Sequence, residues 1–163
     1  MRKILDFVSI GLLAVLFSLT FSALYGNGHL ADKFPTHLDA VGRPDRWGTP
    51  SSLEILPFLA LLMYLFISVV AVISSLRKRS DDEEPEDPSP LENLTLGLIA
   101  WIKAEVVGLF TCLQITLLEA MWHPERGSTL LAVWLLLGAI VATIAWYVSA
   151  MVHTVRVRVH QAP

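Results

Sequence analysis

The sequence predicts an all-α membrane protein, a four-helix transmembrane bundle with one structured external loop between helices 1 and 2. Hydrophobic residues make up 54% of the 163 positions and charged residues only 17%, and the mean hydropathy is +0.58. A soluble domain of this length needs more polar surface to cover its core. The apolar residues also fall into four long runs, so most of the surface is expected to face lipid.

Each of the four runs is about as long as the ~20 residues that a helix needs to cross ~30 Å of hydrocarbon. The predicted spans are Ile4 to Tyr25, Leu53 to Leu76, Leu94 to Trp122 and Ser128 to Val152. Basic residues precede the first run, as they precede the core of a signal peptide. That run exceeds the ~7–15 residues of a signal core and ends in a poor cleavage sequence, so we expect it to be retained as a span.

The distribution of lysine and arginine predicts the orientation, because positive residues near span ends stay in the cytoplasm. With the N-terminus inside, seven such residues lie on the cytoplasmic side and four on the other. The cluster Arg77-Lys78-Arg79 directly follows the second run. The charge count therefore predicts a multi-pass protein with both termini in the cytoplasm.

Residues 77–93 differ from the rest of the chain in composition. Seven of the 15 acidic residues fall between Asp81 and Glu92, together with several prolines and almost no apolar side chain. This composition predicts an acidic disordered cytoplasmic linker. It divides the chain into a two-span unit, 1–76, with its external loop at 26–52, and a second unit, 94–163, with two further spans and a short C-terminal tail.

The external loop carries turn-forming residues that predict one defined shape. Pro35 favours an extended conformation for the residue before it. The segment Arg43 to Arg46 suits a β-turn with Pro44 at its second position, and Gly42 can adopt conformations closed to other residues. Trp47 is amphipathic and is expected at the membrane interface.

The loop also carries a family resemblance. The pattern Pro35-x-His37-x-Asp39-x-x-Gly42-x-Pro44-Asp45-x-Trp47-Gly48 resembles the signature of domain-of-unknown-function family 1648, the SdpI-like bacterial membrane immunity proteins. The resemblance covers about residues 5–76. It departs from the family at Ala31, where proline is frequent, and at Pro50, where lysine is frequent. It implies immunity against, or binding of, a secreted membrane-active peptide at the outer face.

Five imidazole or carboxylate side chains of the loop could form a site: His29, Asp32, His37, Asp39 and Asp45. Imidazole with carboxylate is a plausible zinc shell, with His29, His37 and Asp39 as weak candidates. No tight ligand motif is present, and no cofactor is predicted. In the alternative interpretation the residues only structure the loop: Asp45 accepts hydrogen bonds from its turn, and His37 pins the loop to a helix end.

The third run carries the intramembrane polar residues. Glu105 is expected near the middle of the span, where an ionisable group must face the bundle interior, and Lys103 is expected to extend toward the cytoplasmic surface. Glu119 and His123 lie near the outer end, where a cluster with His37 is geometrically reasonable. Gln114 shares a face with Lys103. These residues either form a functional site or hydrogen-bond across helices as structural links.

The fourth run has small residues at Gly138, Ala142, Ala145 and Ser149, whose spacing suits close helix contact within the bundle or between copies in an oligomer. No catalytic motif is present, and no basic, aromatic-rich face predicts nucleic acid binding. Two functions remain open. The first is a non-enzymatic protein that binds a secreted peptide or a membrane protein partner. The second is a membrane enzyme or transporter accessory subunit that uses the external His/Asp site.

Overall fold

The computed structural model describes residues 1–26, 33–79, 89–123 and 130–161. Its helices are α1 (Arg2–Tyr25), α2 (Ile55–Arg79), α3 (Pro90–Trp122) and α4 (Leu131–Gln161), and a 3-10 turn (Pro50–Glu54) precedes α2. Each of the four helices is long and apolar enough to cross a membrane. The prediction of four apolar helices is confirmed, and it indicates a multi-pass membrane protein.

Each helix extends beyond its apolar run at one end, whereas α2 begins two residues later than predicted, at Ile55. α2 continues through Arg79, so helix includes the first residues of the predicted linker. α3 begins four residues before Leu94, where Ser89 caps it by accepting a hydrogen bond from the backbone N–H of Glu92 at 3.3 Å. Pro90 occupies the first turn, where a missing N–H costs little. Residues 80–88 of the linker lie outside the described part of the chain.

α3 is the central helix of the bundle. It packs against α1, α2 and α4, whereas α1 and α2 contact each other only sparsely. It therefore contributes the largest share of buried helical residues, including the polar Lys103, Thr111 and Gln114. The sequence concentrates polar side chains in this run because neighbouring helices, rather than lipid, surround it.

α3 packs closely against α4 at Gly97. A Cβ added to Gly97 would lie 2.8 Å from the hydroxyl of Tyr147, which is buried. The small-residue stripe of α4 lies elsewhere: Gly138, Ala142, Ala145 and Ser149 are all exposed. Nothing in the described residues lies within 4 Å of a Cβ added to Gly138. Close packing of this stripe within the bundle is therefore wrong, and contact between copies stays a prediction.

The loop between α1 and α2 contains a β-hairpin that was not predicted. Strand β1 (Phe34–Leu38) pairs antiparallel with β2 (Pro44–Gly48), with an irregular register around His37. β1 lies against α3 and against the 3-10 turn. Phe34 and Pro35 are almost fully buried there, so these two side chains attach the hairpin to the helices.

Candidate functional site

The hairpin reverses direction around Asp39 and not over Arg43 to Arg46. One carboxylate oxygen of Asp39 accepts hydrogen bonds from the backbone N–H groups of Val41 and Arg43, each at 2.9 Å. The N–H of Gly42 donates to the carbonyl of Asp39 at 3.0 Å, and Gly42 has a φ of 79°. The predicted β-turn was wrong because the Asp39 side chain fixes an earlier turn, which leaves Pro44 as the first residue of β2.

Gly42→Ala should destabilise the hairpin by about 1–2 kcal/mol, because a side chain at positive φ is strained. Amide hydrogen exchange of residues 34–48 would measure the effect as faster exchange, with α3 amides unchanged. Val41→Ala is the matched control, since Val41 is the exposed neighbour in the same turn. Equal exchange rates in Gly42→Ala and the unmodified protein would contradict the turn geometry.

His37 and Asp45 form a pair across the hairpin. The Nδ1 atom of His37 lies 2.6 Å from Oδ1 of Asp45, and the two side chains are 57% and 45% exposed. The loop-structuring roles therefore differ from those expected: Asp39 accepts the bonds of the turn, and His37 contacts Asp45 rather than a helix end. Trp47 of β2 is also partly exposed. The hairpin surface therefore carries an accessible imidazole, carboxylate and indole.

Glu119 and His123 do not join this surface. Both are exposed, and in the described part of the chain no side-chain hydrogen bond or ion pair connects either of them with His37. Within the backbone, the N–H of His123 donates to the carbonyl of Glu119 at 3.0 Å. The hydrogen bonds and ion pairs of the described residues give no support to the expected cluster, which stays a prediction.

The metal hypothesis gains no support from the geometry. Among the described residues, no three His, Cys, Asp or Glu side chains are grouped closely enough to hold a metal ion. His37 is paired with Asp45, and Asp39 is engaged with backbone N–H groups. His29 and Asp32 lie outside the described residues.

An ion pair that was not predicted connects α1 with α3. Lys103 Nζ donates to Oδ1 of Asp6, and the same ammonium group lies 5.0 Å from the centroid of the Tyr64 ring on α2. The expectation that Lys103 extends to the surface was wrong, because its side chain is only 8% exposed. One sequence feature could have indicated this ion pair: Asp6 is the single charged residue of the first run and needs a partner inside the bundle.

Gln114 forms the second polar link of α3. Its side-chain amide donates to the Thr20 hydroxyl on α1 at 3.0 Å and to the Leu53 carbonyl at 3.3 Å. Gln114 is fully buried, and its side-chain carbonyl oxygen has no hydrogen-bond partner among the described residues. These bonds join α1, α3 and the 3-10 turn below the hairpin.

Glu105 lies between α3 and α4. The Thr143 hydroxyl donates to one carboxyl oxygen of Glu105 at 2.6 Å. The second oxygen is buried, and no residue in the described part of the chain is its hydrogen-bond partner. Interhelical bonds of this type contribute about 1 kcal/mol in membranes. Glu105 and the hairpin site are thus separate features, and the geometry does not combine them into one catalytic centre.

No family model, curated protein or solved structure matches the chain.

Proposed function

We propose that the chain is a non-enzymatic bacterial membrane protein that binds a membrane-active peptide at its hairpin, in keeping with the immunity role that the resemblance to SdpI-like proteins implies. The observation that carries the proposal is the exposed His37–Asp45 pair on a hairpin held to the bundle by buried Phe34 and Pro35. A surface that is both anchored and accessible suits recognition, because little ordering is needed on binding. The resemblance of residues 35–48 to the family signature supports the same function.

The chemistry of the hairpin surface suits a peptide. Arg43, Arg46 and Trp47 of the same hairpin are exposed, and arginine and tryptophan dominate the energetics of many protein interfaces. Among the residues that the structure describes, β2 pairs with β1 alone, along one edge. An extended peptide can therefore add its backbone hydrogen bonds to the other edge while its side chains contact the exposed residues.

His37→Ala is expected to abolish protection of cells challenged with candidate membrane-active peptides, while the melting temperature in detergent stays nearly unchanged. The imidazole is more than half exposed, so its loss removes a contact for the ligand and little packing. Thr36→Ala is the control, since Thr36 is its exposed neighbour on β1. Full protection by a stable variant lacking both His37 and Asp45 would exclude the hairpin as the site.

The proposal places the hairpin outside the cell and both termini in the cytoplasm. In a background without Cys112, a membrane-impermeant maleimide applied to intact cells should label Val41→Cys and not Arg156→Cys. Both positions are exposed, and they lie at opposite ends of the helices. Labelling of Arg156→Cys alone would show the reverse orientation and would overturn binding of an external peptide.

A further inference from the structure

A cleft between α1, α2 and α3 lies at the end of the bundle opposite the hairpin. Its volume is about 390 Å³, and its polar lining comes from Arg2, Lys3, Asp6, Ser75 and Lys103. Asp6 is paired with Lys103. Arg2 and Lys3 are exposed and have no ion-pair partner among the described residues. The cleft therefore keeps a net positive charge at its opening.

The remaining lining is apolar. Val72 of α2 and Ile99 and Ala100 of α3 line the cleft between the helices. A cleft with basic groups at one end and an apolar wall matches a molecule with an anionic headgroup and hydrocarbon chains. A free anion would use only the basic end. Basic pockets between transmembrane helices bind the headgroups of anionic lipids.

We propose that this cleft is a binding site for one anionic phospholipid, with the headgroup phosphate between Arg2 and Lys3 and an acyl chain along Val72 and Ile99. The Asp6–Lys103 pair forms the floor of the site and keeps the Asp6 carboxylate engaged, which limits its repulsion of the phosphate. The site is independent of the hairpin and of any peptide ligand.

Native mass spectrometry of the purified full chain, titrated with phosphatidylglycerol or phosphatidylcholine of the same chain length, tests the proposal. We expect one phosphatidylglycerol retained per chain and weaker retention of phosphatidylcholine. Arg2→Gln should weaken phosphatidylglycerol binding roughly fivefold, as expected for one basic residue near a lipid phosphate. Val72→Trp should weaken it without any change in charge, by filling the cleft.

Arg156→Gln is the matched control. It removes the same charge at the same end of the bundle, because α4 runs antiparallel to α3, but Arg156 does not line the cleft. Its affinity for phosphatidylglycerol should equal that of the unmodified protein. An equal loss in Arg156→Gln and Arg2→Gln would show diffuse attraction and overturn the site. Displacement of the lipid by millimolar inorganic phosphate, or unchanged binding in Val72→Trp, would also overturn it.

Discussion

Asp6→Ala is expected to lower the free energy of unfolding by about 3 kcal/mol, because it leaves the buried ammonium of Lys103 without its partner. The pair is asymmetric: Lys103 is 8% exposed and Asp6 43% exposed. Lys103→Met should therefore cost less than Asp6→Ala, since the carboxylate that remains can be hydrated through the cleft. Unfolding by sodium dodecyl sulfate in mixed micelles would measure both variants.

Two further variants separate this effect from general damage to α1. Lys3→Ala changes an exposed residue of the same helix and should leave the unfolding free energy within about 0.5 kcal/mol. The double variant Asp6→Ala/Lys103→Met removes both charges and should recover much of the loss. A stability of Asp6→Ala equal to that of the unmodified protein would show that the pair does not stabilise the bundle.

Gln114→Ala is expected to cost about 2–3 kcal/mol of unfolding free energy. The substitution leaves a cavity at a fully buried position and removes the amide that donates to the Leu53 carbonyl and to the Thr20 hydroxyl. Gln114→Leu fills the cavity but forms no hydrogen bond, so it should cost about 1 kcal/mol. The difference between the two variants measures the packing contribution.

The control for Gln114 is Ile115→Ala on the exposed side of the same helix turn. The free energy of unfolding of this variant should lie within about 1 kcal/mol of that of the unmodified protein, since Ile115 contributes little to the core. The prediction also has a local readout: amides of the 3-10 turn, Pro50–Glu54, should exchange faster in Gln114→Ala. A stable Gln114→Ala protein with unchanged exchange would show that this link is dispensable.

The four helices could be predicted from the sequence because the length of an apolar segment can be counted along consecutive residues. Their ends could not, since hydropathy locates the hydrocarbon boundary and not the last helical residue. α4 continues nine residues beyond Val152, through a segment that includes Arg156. The helical backbone needs no apolar side chains to continue into water.

The hairpin and the interhelical contacts could not be predicted, because they depend on interactions between segments that are distant in the sequence. Strands of five residues with proline, aspartate and arginine show no apolar alternation, so nothing distinguished them from a loop. Pro44 suggested a turn, but the hydrogen bonds that Asp39 accepts from the backbone place the turn earlier in the chain. Likewise, the partners of Lys103, Glu105 and Gln114 depend on how the helices are rotated, which apolar spans do not specify.

The central position of α3 sets the order in which the protein can assemble during synthesis. α1 and α2 leave the ribosome first, yet they contact each other sparsely. Asp6 and Thr20 reach their partners Lys103 and Gln114 only after more than ninety further residues have been made. Until then, the Asp6 carboxylate has no lysine partner inside the membrane. The contacts of α1 with α3 can therefore form only after α3 has been synthesised and inserted beside α1.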